Sequence, residues 1–130
     1  MPVPDPIRIL LVDDHQFIRE AVAQLINLQS DMRVVGEAAD GPEAIELYDR
    51  LAPDIALIDL RMRQMNGIET LTAIRRKHPH AQIVILSAYK FQEDVEQSLS
   101  AGACAYVTKD SMQQEVLQVI RQVCSDREQD

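Results

Sequence analysis

Five side chains of this 130-residue chain invite a chemical reading: Asp13, Asp14, Asp59, Ser87 and Lys109. Each ends or follows a short apolar run: Ile7 to Val12, Ile55 to Ile58, Ile83-Val84-Ile85-Leu86, and Cys104 to Thr108. Three carboxylates gathered in one place repel one another, so either one keeps a proton or a cation sits among them. Oxygen donors without a Cys or His cluster favour a hard ion. Mg²⁺ suits a few carboxylates, several retained waters and an incoming phosphate. Lys109 would add a point positive charge, and the Ser87 hydroxyl can donate to an oxyanion. Together these groups describe phosphoryl transfer onto an aspartate, in which positioning and charge neutralisation carry most of the catalysis.

That chemistry requires the four runs to end at one edge. Apolar runs and helical patterns alternate five times along the chain. The expected strands are Ile7 to Val12, Val34 to Ala38, Ile55 to Asp59, Gln82 to Ser87 and Cys104 to Thr108. The first helix carries Ile18, Val22, Leu25 and Ile26 at amphipathic spacing. Asp40-Gly41-Pro42-Glu43 looks like the start of the second, a capping Asp with a Glu three residues later, with Ala44, Leu47, Tyr48 and Leu51 on its core face. Asn66-Gly67 turns into the third, with Ile68, Leu71 and Ile74. Phe91 to Leu99 is weakly amphipathic, with only Phe91, Val95 and Leu99 in register. Ser111 and Gln114 form a capping box for the last helix, whose face is Met112, Val116, Val119, Ile120 and Val123.

Strand and helix alternating five times make a parallel sheet wrapped on both faces, α/β and flavodoxin-like. Right-handed crossovers leave few topologies, and the doubly wound order 2-1-3-4-5 with five helices is the one expected. In that order Asp13, Asp14, Asp59, Ser87 and Lys109 share the carboxyl edge of the sheet, beside its switch point.

The remaining composition narrows the setting. One core fits the length, and 46% apolar with 26% charged residues is an ordinary globular mixture. A net charge of −8 argues against direct nucleic-acid binding by this domain. No apolar run reaches membrane length, and residues 1–6 read as an extended leader rather than a signal peptide. The folded domain is expected over 7–124, with 125–130 a polar tail or the start of a linker. Cys104 and Cys124 read as two buried thiols in a reducing cytoplasm. His15 reads as a polar residue beginning a helix, and Arg75-Arg76-Lys77 as a solvated helix end whose cations suit the dipole.

Leu11-Val12-Asp13-Asp14, Asp59-Leu60 with Met65-Asn66-Gly67, Leu86-Ser87-Ala88 and Tyr106-Val107-Thr108-Lys109 occur in order and at strand ends. With these pieces the chain resembles the receiver domain of bacterial two-component response regulators over essentially its whole length. Asp14-His15 leading to Arg19-Glu20, and Val35 through Gly41, resemble the NarL/FixJ group. The resemblance implies that Asp59 accepts a phosphoryl group from a histidine kinase or phosphotransfer protein. It implies Mg²⁺ held directly by Asp14 and Asp59, by Asp13 mainly through water, and by the backbone carbonyl of Arg61. Lys109 would contact the phosphoryl group or pair with Asp59, and Ser87 with Tyr106 would form the switch pair. Output would be transcriptional, through a LuxR-type DNA-binding domain beyond this chain. Activation could bring a homodimer, with the Phe91 to Leu99 segment as the moving part.

The chain also departs from the family pattern. Arg63 stands where Pro is usual, and Arg61 and Tyr89, two places beyond Asp59 and Ser87, are uncommon choices that bear on loss of the phosphoryl group. Three rival readings are weaker. A nucleotide or flavin domain would place glycines where Asp13-Asp14-His15 stands. An aspartyl-intermediate phosphatase would place Asp-X-Asp after the first strand. A receiver-like interaction module working without phosphorylation remains the main alternative. On the receiver reading the chain modifies itself and is not a turnover enzyme.

Overall fold

The computed structural model describes residues 5–125; most of the expected leader and tail lies outside that range. Five parallel strands form one sheet: β1 (Ile7–Val12), β2 (Met32–Ala38), β3 (Ile55–Asp59), β4 (Ile83–Ser87) and β5 (Ala105–Thr108). They lie in the order β2-β1-β3-β4-β5, the expected topology. The helices are α1 (Gln16–Asn27), α2 (Gly41–Leu51), α3 (Gly67–Lys77), α4 (Gln92–Ala101) and α5 (Met112–Val123).

Alternate residues of each central strand face opposite layers, as the strand period of two demands. Ile9, Leu11, Ile55, Leu57, Val84 and Leu86 pack with Val22 and Ile26 of α1 and Val116 and Ile120 of α5. Leu10, Val12, Ala56, Ile58, Ile83 and Ile85 pack with Ala44 and Tyr48 of α2 and Leu71 and Ile74 of α3. Burial on both sides explains why β3 and β4 read as continuous apolar runs, every residue of them buried. A fully buried Ile or Leu stabilises the fold by about 1.5–3 kcal/mol, so these strand ends are fixed points.

Several local expectations are corrected. β2 begins at Met32, two residues early, because Met32 pairs with Ile7 and is itself buried. Cys104 precedes β5 and is exposed, so only Cys124 is a buried thiol. The Ser111 capping box does not form: Lys109–Ser111 is a 3₁₀ turn, and the Ser111 hydroxyl meets Thr108 Oγ1 at 2.7 Å instead. In α4 the apolar register is not the buried face. Phe91 and Leu99 are exposed, and Ser98 is the buried residue. At α3 the caps are stronger than anticipated: Asn66 Oδ1 accepts from the Glu69 amide while Glu69 accepts from the Asn66 amide.

Candidate functional site

Register carries the chemistry to one edge. Val12 pairs with Ile58, Asp59 with Leu86, and Ser87 with Thr108, so the residues following β1 and β5 flank the end of β3. Asp13, Asp59 and Ser87 are buried, each at 3% exposure or less. Strand ends rather than flexible loops hold them, which fixes the carboxylates before any ligand arrives. Gly67 is required by this arrangement. A Cβ there would sit 2.5 Å from the Asp59 carbonyl oxygen and 2.9 Å from Leu60 Cα.

Lys109 Nζ lies 2.9 Å from Asp13 Oδ2 and 3.1 Å from Asp59 Oδ1. Burial alone would lower the lysine pKa, but its contacts with Asp13 and Asp59 outweigh that and raise it. Asp59 behaves oppositely. Burial and the Asp13 charge push its carboxyl up to about 6 despite Lys109, and Asp14 adds to the rise. One lysine thus leaves the three carboxylates under-neutralised, and the Asp59 Oδ2 atom has no hydrogen-bond donor among the described residues. A donor set of closely placed carboxylate oxygens fits a hard divalent cation.

By sequence His15 reads only as a polar residue beginning a helix. It does precede α1, without a side-chain cap bond, yet its ring turns into the cluster. Nδ1 lies 3.1 Å from both Asp13 Oδ1 and Asp14 Oδ1. The position of His15 in the sequence could not reveal this, because ring direction follows from the turn after β1. There the His15 amide donates to Asp13 Oδ1 at 2.8 Å. Arg19 buttresses the same turn, donating to the Asp13 carbonyl at 2.6 Å and to Glu37 at 3.0 Å.

On the β4–β5 side, Ser87 Oγ accepts from the Tyr89 amide at 3.3 Å, and the Tyr106 hydroxyl donates to the Tyr89 carbonyl at 2.6 Å. Burial raises the Tyr106 pKa. Ser87 and Tyr106 therefore meet on one short loop. Arg61 lies beyond Asp59, and its guanidinium reaches Asp94 in the first turn of α4 at 2.7 Å. Tyr89 and Phe91 stack at 5.3 Å between ring centres and stay exposed at the rim.

Known proteins share this fold and sequence pattern. The model of the response regulator receiver domain family matches residues 9–121. The nitrate/nitrite response regulator protein NarL of Escherichia coli (strain K12) is 42% identical over 121 residues, covering 93% of this chain and 56% of that protein. The chain thus spans about half the length of the curated relatives it matches. The signal receiver domain of the putative response regulator NarL from Mycobacterium tuberculosis superposes with a TM-score of 0.89 at 34% identity, covering 94% and 98% of the two chains. A CheX-CheY-BeF3-Mg+2 complex from Borrelia burgdorferi gives a TM-score of 0.86 at 29% identity, covering 92% and 90%. With its acidic cluster at the end of β3, its lysine after β5 and these likenesses, the chain belongs to the response regulator receiver domains, in the NarL/FixJ group.

Proposed function

We propose that this domain is a phosphorylatable switch, with Asp59 as the phosphoacceptor. The Asp59 Oδ2 atom carries the reading: it is buried, has no donor among the described residues, and lies where carboxylate repulsion keeps it in want of a partner. Asp59 attacks the phosphohistidine of a histidine kinase or phosphotransfer protein. One carboxylate oxygen forms a P–O bond, the P–N bond breaks, and the imidazole leaves with the bonding pair. Lys109 holds the charge of the incoming group from the β5 side. Asp13, Asp14, Asp59 and the Arg61 carbonyl would hold Mg²⁺, which when bound neutralises charge on the phosphoryl oxygens. The carboxylate-rich donor set supports that ion, as does the Borrelia burgdorferi relative solved with BeF3 and Mg2+. On this reading the chain modifies itself and is not a turnover enzyme on an external substrate.

Ser87 and Tyr106 read the modification. Ser87 turns to a phosphoryl oxygen and Tyr106 follows, shifting the population of arrangements along the β4–β5 edge and α4. The output is transcriptional, through a LuxR-type domain outside this stretch, in the cytoplasm and with a homodimer on activation. No described helix is long and apolar enough to cross a membrane.

Intact-mass analysis after incubation with Mg²⁺ and a small acyl-phosphate donor tests the reading. A single phosphoryl adduct is expected, dependent on Mg²⁺ and lost in Asp59→Ala. Failure with both this donor and a kinase donor would leave the interaction module that works without phosphorylation.

A further inference from the structure

Asp13 and Asp59 divide their oxygens between two bases. Lys109 takes Asp13 Oδ2 and Asp59 Oδ1, while the opposite oxygens face His15. His15 Nδ1 stands 3.1 Å from Asp13 Oδ1, 3.1 Å from Asp14 Oδ1 and 3.9 Å from Asp59 Oδ2. We propose that His15 Nδ1 is a ligand of the bound cation, so that the site favours first-row transition ions such as Ni²⁺ or Mn²⁺ more strongly than a site of oxygens alone. The inference rests on the cation site described above and adds a nitrogen to it.

Three observations carry it. Neighbouring donors on an octahedral ion with bonds near 2.1 Å lie about 3.0 Å apart, by simple geometry. The nitrogen and its two nearest carboxylate oxygens already stand at that spacing, and one ligand atom from each of Asp13, Asp14, His15 and Asp59 falls within 4.8 Å of every other. Second, the buried Asp59 Oδ2 faces the same space with no hydrogen-bond donor among the described residues, a polar atom that an ion would satisfy. Third, His15 is held at its backbone by Asp13 Oδ1 while its side chain stays 61% exposed, so the ring adjusts to an ion without disturbing the core.

Chemistry then sets the preference. Imidazole adds affinity for Mn²⁺ and more for Ni²⁺, whereas Mg²⁺ gains little over water or carboxylate. An Nδ1–H shared between Asp13 and Asp14 would suit the same distances. The question is therefore whether the ring gives a proton or a lone pair, and ion preference answers it.

The test is calorimetric titration of the domain with Mg²⁺ and with Ni²⁺, wild type beside His15→Ala and Asp59→Asn. His15→Ala should lose Ni²⁺ affinity by about tenfold or more, and Mg²⁺ affinity by less than about threefold. Pulsed EPR of the Mn²⁺-loaded domain should show a nitrogen coupling that His15→Ala abolishes and Asp59→Asn weakens. His78, 2.7 Å from Asp49, is a second imidazole–carboxylate pair, and a coupling that survives His15→Ala would belong to such a place and overturn the proposal. An unchanged Ni²⁺-to-Mg²⁺ preference in His15→Ala, with Mg²⁺ still bound, would also overturn it and leave the cation site standing. Absence of Mg²⁺ binding in the wild type would remove that underlying reading too.

Discussion

Lys109 Nζ lies 3.1 Å from Asp59 Oδ1, yet this contact does not return Asp59 to the ordinary carboxylate range. Burial and Asp13 outweigh it and hold the carboxyl up at about 6 against 3.8 in an open chain. The folded state therefore binds this proton more tightly than the unfolded state does. Its contribution to stability is complete below about pH 4 and is lost as pH rises through about 6. A gap of about two pH units at roughly 1.4 kcal/mol each makes ionised Asp59 a cost of about 3 kcal/mol at neutral pH.

Asp59→Asn keeps an acceptor for Lys109 and removes the charge. In a chelator at pH 7.5 it should stabilise the domain by about 1–3 kcal/mol, a gain that shrinks toward pH 4. Urea midpoints at the two pH values check this. Equal midpoints at pH 7.5 would show that Lys109 already neutralises the cluster.

Replacing Gly67 by alanine should couple fold to site. The new Cβ would meet the Asp59 carbonyl oxygen at 2.5 Å, a contact only backbone movement can relieve. Overpacking of this kind costs about 1–3 kcal/mol. The Gly67→Ala domain should show a lower urea midpoint and slower Mg²⁺-dependent adduct formation on Asp59. A midpoint and rate equal to wild type would mean the β3–α3 junction yields more easily than its contacts indicate.

The Arg61–Asp94 pair joins the loop after Asp59 to α4, but it is surface-exposed on the arginine side. Such pairs contribute about 0.2–1 kcal/mol, so Arg61→Ala should speed amide exchange in the first turn of α4 by a few-fold and leave the global midpoint nearly unchanged. Arg61 and Tyr89 stand two places beyond Asp59 and Ser87, and on the proposed phosphorylation Arg61→Ala and Tyr89→Ala are expected to alter the lifetime of the phosphorylated domain. Unchanged lifetimes in both would remove them from that role.

Much of this was legible because burial on both faces writes itself plainly: β3 and β4 are continuous apolar runs, and the polar residue ending each run marks the site. Legibility failed where side-chain direction or tertiary contact decides. His15 faces three carboxylates only because of the turn after β1. Ser111 loses its cap to a 3₁₀ turn that its own sequence does not signal, and Cys104 falls outside a β5 of four residues. The α4 register misled for a related reason. Helical spacing marked Phe91 and Leu99, but the helix presents its small residue, Ser98, to the interior.

That burial makes Ser98 a test of the switch. Its Oγ is buried without a hydrogen-bond partner among the described residues, and an unmet hydroxyl of this kind costs about 1–3 kcal/mol. Ser98→Ala removes the hydroxyl and improves helix propensity by a few tenths of a kcal/mol. It should stabilise the domain by about 0.5–2 kcal/mol, read as a higher urea midpoint, and slow amide exchange in α4. If α4 is the element that moves, extra stability in its resting arrangement must oppose the shift, since a modification moves an equilibrium only by its differential stabilisation of the two states. Phosphorylated Ser98→Ala should then show a smaller exchange response in α4 than phosphorylated wild type. A stabilised variant with a full response would place the moving element elsewhere on the β4–β5 edge.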